Sequence, residues 1–175
     1  MLDSYTSPEA SRVAHRASEQ YKVFRHAVGM EALLESPSDL EFWRSTDIGF
    51  LTKDGLSIFS PKEADDELQY IVTDELAVPT ASIDALLEQL RKVAETASRD
   101  PSIETCWVLQ RDVDDHGSEI VDNNVYLLLR FRSRAAYELY KRSASRSEWD
   151  LVSQLALKRR TTTWEEAGIG FLGKG

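Results

Sequence analysis

The stretch NNVYLLLRFR, Asn123 to Arg132, constrains the fold more than any other part of this chain. Side chains alternate between faces along a strand, so Val125, Leu127, Leu129 and Phe131 share one face, and Tyr126, Leu128, Arg130 and Arg132 share the other. The first face is wholly apolar and must lie against a core. The second is apolar at one end and carries guanidinium groups at the other, which suits neither bulk water nor an oily interior. Such a strand fits a sheet with both faces covered, one by helices and the other by a cavity or an interface.

The segments around it predict which sheet this is. LQYIVTDELAV, Leu68 to Val78, reads as a strand. The helix that follows places Ile83, Leu86, Leu87, Leu90, Val93, Ala94 and Ala97 on one stripe and stops at Asp100-Pro101. Ile103 to Val113 is a second strand, a polar loop leads to the third strand described above, and Ser133 caps a helix from about Arg134. SRSEWDLVSQLAL continues or restarts that helix, and RTTTWEEAGIGFL supplies a fourth strand around Trp164. Strand, helix, strand, strand, helix, strand is the split βαβ order of α+β, ferredoxin-like folds, with a four-stranded antiparallel sheet carrying both helices on one face. An exposed second face would be polar. Trp107, Leu109, Tyr126 and Leu128 instead mark it as an interface or a ligand site.

Residues 67–175 thus form the expected ferredoxin-like domain, and 1–66 an N-terminal extension. Ser7-Pro8-Glu9 is a helix start, and Ala10, Val13, Ala14, Ala17, Tyr21, Phe24 and Val28 continue at helical spacing, so one long amphipathic helix is expected as far as Leu34. A short turn at LEFW and two short strands around Asp54-Gly55, within Ile48 to Phe59, follow it. Ile-Gly-Phe-Leu occurs at Ile48 to Leu51 and again at Ile169 to Leu172. The extension is therefore either a decayed half-repeat or a helix and hairpin packed on the core, with the hairpin extending the sheet or covering one end of a barrel.

Composition excludes several functions. With 42% hydrophobic and 29% charged residues the chain can build one core, while a formal net charge of −9 opposes binding to a phosphate backbone. No run approaches the roughly 20 apolar residues of a membrane span, and MLDSYTSPEA lacks the basic start and apolar run of a signal peptide. A cytoplasmic location is expected. Cys106, the single cysteine, fits a reducing compartment and reads as an inert buried thiol. No metal-ligand spacing or phosphate-cradling loop is present in the sequence. His15 and His26 are eleven residues apart, and His116 sits in the loop DDHGS.

The strand LQYIVTDELAV, the helix SIDALLEQLRKVAETA, the hairpin CWVLQRDV to NNVYLLLRF and the segment SRAAYELYKRSASRSEW resemble the dimeric α/β-barrel superfamily, in particular its antibiotic-biosynthesis-monooxygenase and stress-responsive A/B-barrel families. The resemblance implies a homodimer in which two sheets enclose a small, often aromatic substrate. It also implies a choice among cofactor-independent oxygenases, haem-degrading enzymes, cyclases or isomerases and members without catalysis. Haem degradation is disfavoured, because LQYIVTDEL has no Asn and RAAYELYKRSASRSEW no His where those members need them.

Alternation assigns Thr73, Glu75, Trp107, Arg111, Tyr126, Arg130, Trp164 and Glu166 to the sheet face away from the helices. Aromatic walls with a few polar groups describe a ligand cavity. In the catalytic reading Arg130 and Arg111 stabilise an enolate or phenolate and Tyr126 donates a proton, while Trp107 and Trp164 stack on a hydrophobic, aromatic or polyketide-like substrate beside Thr73, Glu75 and Leu128. His26 joins them if the first helix caps the barrel mouth, and no cofactor is needed. In the rival reading Arg111 and Arg130 pair with Glu75 and Glu166, and the face is a dimerisation or ligand-binding surface without chemistry.

Overall fold

The computed structural model describes residues 9–30, 43–53, 68–111, 123–143 and 146–166. Contacts divide the chain into Met1–Leu40 and Glu41–Gly175.

In the first unit the expected long helix is broken. A π-type segment, Ala10–His15, is followed by helix α1, Glu19–Met30. Ser18 makes the break: its hydroxyl donates to the His15 carbonyl at 2.6 Å and accepts the Tyr21 N–H at 3.3 Å. A serine hydroxyl that competes for backbone groups in this way ends one helical run and caps the next. Val13, Val23, Phe24 and Met30 are exposed along this unit. Ser7 and Leu34 lie outside the described residues.

The second unit is an antiparallel sheet of five strands: β1 Trp43–Phe50, β2 Tyr70–Val78, β3 Ile103–Arg111, β4 Asn123–Phe131 and β5 Lys158–Glu165. Their order is β1-β3-β4-β2-β5. Helix α2, Ile83–Arg99, connects β2 to β3 and packs beside β3 and β1, and α3 and α4, Arg134–Ser143 and Arg146–Leu155, connect β4 to β5. The Ser133 hydroxyl accepts the Ala136 N–H at the head of α3, the expected cap, and residues 144–145, between α3 and α4, lie outside the described residues.

The sheet has five strands where the sequence predicts four, because β1 joins the free edge of β3. The expected boundary at residue 66 thus leaves one strand of this sheet on the extension's side. Trp43, placed by sequence in a short turn, opens that strand. Asp54 to Phe59, the other arm of the expected hairpin, and the second Ile-Gly-Phe-Leu lie outside the described residues. A bulge between Ser45 and Ile48 bends β1, with Asp47 at φ 58° and Gly49 at φ 96°. Past its end, the Lys53 ammonium donates to the carbonyls of Ala97 and Asp100, at 3.0 and 2.5 Å, and so caps the C-terminus of α2.

The core lies between sheet and helices. Val125, Leu127, Leu129 and Phe131 meet Leu86, Leu90, Val93 and Ala97 of α2 and Val152 of α4, all at most 2% exposed. Burying each of these larger aliphatic side chains contributes about 1.5–3 kcal/mol. The predicted α2 stripe is the buried one, joined by Gln89, with Ile83 and Leu87 partly buried at its margin. No helix among the described residues is long and apolar enough to cross a membrane.

Candidate functional site

Register fixes what stands on the face turned away from the helices. Arg130, Ile71 and Trp164 form one row across β4, β2 and β5. Trp107, Leu128, Thr73 and Thr162 form the next, starting on β3, and Leu109, Tyr126, Glu75 and Arg160 the third. On β1, Trp43 stands opposite Arg111. Alternation thus puts Thr73, Glu75, Trp107, Arg111, Tyr126, Leu128, Arg130 and Trp164 on one face.

Within these rows Thr73, Glu75, Tyr126, Arg160, Thr162 and Trp164 line a recess of about 100 Å³. Glu75 forms its floor on β2, between β4 and β5. The Glu75 carboxylate accepts from the Asn124 amide at 3.4 Å and lies 2.7 Å from the Arg160 guanidinium. The Thr73 hydroxyl donates to the Thr162 carbonyl at 3.3 Å, and Trp164 stands 59% exposed at the rim. Beside the recess the Tyr126 ring lies 5.2 Å from Trp43, and the Trp107 indole N–H donates to the Ser45 hydroxyl at 3.3 Å.

Arg130 occupies the neighbouring corner. Its side chain is 16% exposed, and its Nε, 3.7 Å from the Glu104 carboxylate, is buried without a hydrogen-bond partner. Glu104 also faces Arg132 at 3.7 Å and accepts from the Gln69 amide at 2.5 Å. The ion pairs anticipated from sequence are therefore different ones: Glu104 holds Arg130, and Arg160 holds Glu75. The Glu166 carboxylate accepts the Gln69 backbone N–H at 3.0 Å.

The two corrections have different origins. Glu104 is the extra residue of a bulge between Ile103 and Thr105, which regular alternation cannot reveal. Arg160 and Thr162 were accessible, because they alternate with Trp164 in KRRTTTWE. Trp43 went unrecognised because its strand begins earlier than the apolar pattern suggests. His26 is exposed on α1, in the first unit, whereas the other candidates belong to the second. His116 lies outside the described residues. Among the described residues no cluster of three or more His, Cys, Asp or Glu could hold a metal ion.

On the opposite side of the sheet burial shifts several groups. It pushes the Cys106 thiol up to about 12, with Lys53 opposing. It also pushes the Tyr140 phenol up to about 12, opposed by the hydrogen bond from Trp149. Tyr137 is raised for the same reason.

No family model and no curated protein matches this sequence. Solved structures do match the fold. A candidate monooxygenase from Fusobacterium nucleatum superposes with a TM-score of 0.62 at 12% identity, over 93% of this chain and 68% of that one. An anthrone oxidase-like protein gives 0.58 at 16% identity, over 87% and 64%. A candidate monooxygenase from Lactobacillus acidophilus gives 0.53 at 11% identity, over 86% and 61%. At such identities the shared property is the chain path alone, that of a ferredoxin-like α+β fold.

Proposed function

We propose that this protein is a small-molecule oxygenase that needs no cofactor and inserts oxygen from O2 into a hydrophobic, aromatic substrate held on the open sheet face. The observation that carries the reading is Arg130, a largely buried guanidinium whose Nε has no hydrogen-bond partner, on the same face as the recess under Tyr126 and Trp164. Burying a polar donor without an acceptor costs roughly 1–3 kcal/mol, and a substrate oxygen that becomes anionic would supply the missing acceptor. In this reading Arg130 stabilises enolate or phenolate charge, with Arg111 along the same face. Tyr126 returns a proton, and Trp107 and Trp164 stack on the rings beside Leu128 and Thr73. His26 has no part in it.

The size of the recess gives the proposal a second component. Ligand sites usually enclose roughly 300–1,000 Å³, and about 100 Å³ cannot hold a fused-ring substrate. The remaining walls are proposed to come from the same face of a second copy, which makes the working form a homodimer.

The name of one similar structure, an anthrone oxidase-like protein, suggests anthrone as the test substrate. Anthrone and the protein would be mixed in air-saturated, chelator-treated buffer, following O2 uptake and the absorbance of the quinone. One O2 consumed per methylene converted to carbonyl, with one water released, is expected. Arg130→Met should lower that rate by at least about 100-fold. Full turnover by a folded Arg130→Met protein would remove its role. A sedimenting monomer with full activity would remove the dimer.

A further inference from the structure

Among the described residues Glu75 is the only carboxylate lining the recess, and its surroundings amount to more than a cross-strand ion pair. It stands on β2, between β4 and β5, with Tyr126 directly opposite on β4 and Arg160 directly opposite on β5. Its two oxygens are held from different sides, one by the Arg160 guanidinium at 2.7 Å and the other by the Asn124 amide at 3.4 Å. The Glu75 side chain is 19% exposed and the Arg160 side chain 72%, so the acid is fixed in the floor while its cationic partner stands at the mouth.

We infer that Glu75 is the general base that removes a carbon-bound proton from the substrate, and that Arg160 then takes over the negative charge. This deepens the proposed oxygenase reading and rests on it. Together Glu75 and Arg160 carry no net charge, so the recess favours a neutral substrate over a carboxylate-bearing one. When the C–H bond breaks, its electron pair remains on the substrate as an enolate and the proton forms an O–H bond on Glu75. Glu75 loses its charge in that step, and the Arg160 guanidinium is left facing a new anion, so an ion pair is retained throughout. The enolate carbon then bonds to O2, and the proton on Glu75 returns through the Tyr126 hydroxyl, which gives its own proton to the peroxide oxygen and takes the one from Glu75, to give a hydroperoxide. Loss of water leaves a carbonyl, with the methylene as reductant and O2 as oxidant. The substrate class is a neutral carbon acid, a methylene activated by a conjugated ketone.

The test separates proton removal from oxygenation. Under argon in D2O, wild-type protein should accelerate exchange of the anthrone methylene protons above the buffer rate, read by proton NMR. Glu75→Gln should lower that acceleration by at least about 100-fold while quenching of Trp fluorescence still reports anthrone binding. Should Glu75→Gln lose the circular dichroism of the folded protein, Arg160→Met at its exposed position replaces it, with an expected fall of at least about 100-fold in the same exchange. Wild-type oxidation of anthrone with undiminished exchange in the folded variant overturns the role of Glu75 and leaves the oxygenase reading standing. Wild-type protein that neither binds nor oxidises anthrone overturns both.

Discussion

Arg159 grips Asp74 through two parallel bonds, Nε to Oδ1 at 3.0 Å and Nη2 to Oδ2 at 2.7 Å, on the helix side of the sheet. Asp74 is 1% exposed, the Thr161 hydroxyl donates to it as well, and the Arg159 guanidinium lies 4.9 Å from the Trp149 ring. The pair ties β5 to β2 and to α4. Arg159→Met should cost about 3–5 kcal/mol in urea unfolding, because it leaves a buried carboxylate without its cation. The double variant Asp74→Leu with Arg159→Met should recover most of that loss, since no charge is then stranded. A single-variant cost under about 1 kcal/mol would show that the pair behaves as an exposed one.

Gly49 supplies a test of the fifth strand. At φ 96° an added Cβ would come within 1.9 Å of the Cys106 carbonyl oxygen, which is backbone and cannot step aside. Gly49→Ala should cost at least about 2 kcal/mol and loosen β1 before the rest of the sheet. Hydrogen exchange should therefore rise first at Trp43–Phe50 and at the β3 amides that pair with it. Uniform loss of protection would contradict this.

Alkaline pH should weaken the fold through two buried acids. An unfolded thiol titrates near about 8.5 and an unfolded phenol near about 10, whereas Cys106 and Tyr140 hold their protons to about 12 in the folded protein. Above each unfolded value the unfolded chain binds fewer protons than the folded one, so stability falls as pH rises. Each group contributes a slope of up to about 1.4 kcal/mol per pH unit. Stability is fully present below about pH 8.5 and declines towards 12. Cys106→Ala should remove the first part of that slope, measured by urea unfolding between pH 8 and 10 and compared as slopes. The native thiol should also resist iodoacetamide until the protein is unfolded.

Arg130→Met should separate stability from activity. Glu104 keeps Gln69 and Arg132 after the substitution, so unfolding free energy should stay within about 1 kcal/mol of wild type. Anthrone oxidation, in the proposed reading, should be lost. A loss of several kcal/mol would instead assign Arg130 to the scaffold.

The extent to which this fold was legible follows from the period of each signal. Val125, Leu127, Leu129 and Phe131 announce a core face by simple alternation, and the α2 stripe announces its buried side at helical spacing. Thr73, Glu75, Trp107, Tyr126 and Arg130 were placed on the open face by the same parity. Glu104 and Ser18 were not legible, because a bulge and a competing hydroxyl each break a period locally. Asp74 was hidden for another reason: in LQYIVTDELAV nothing marks a carboxylate as buried until Arg159 approaches from a strand 85 residues away.

The sequence by itself determined the element order, the helix-facing core and the parity of the second face, because burial of apolar side chains imposes periods of two and of 3.6 residues that any reader of the chain can count. Only the tertiary structure decided the partners. That β1 joins β3, that Glu104 rather than Glu75 faces Arg130, and that Arg159 reaches from the exposed strand β5 to the buried Asp74 depend on strand order and register, which are set by contacts between residues far apart in the chain.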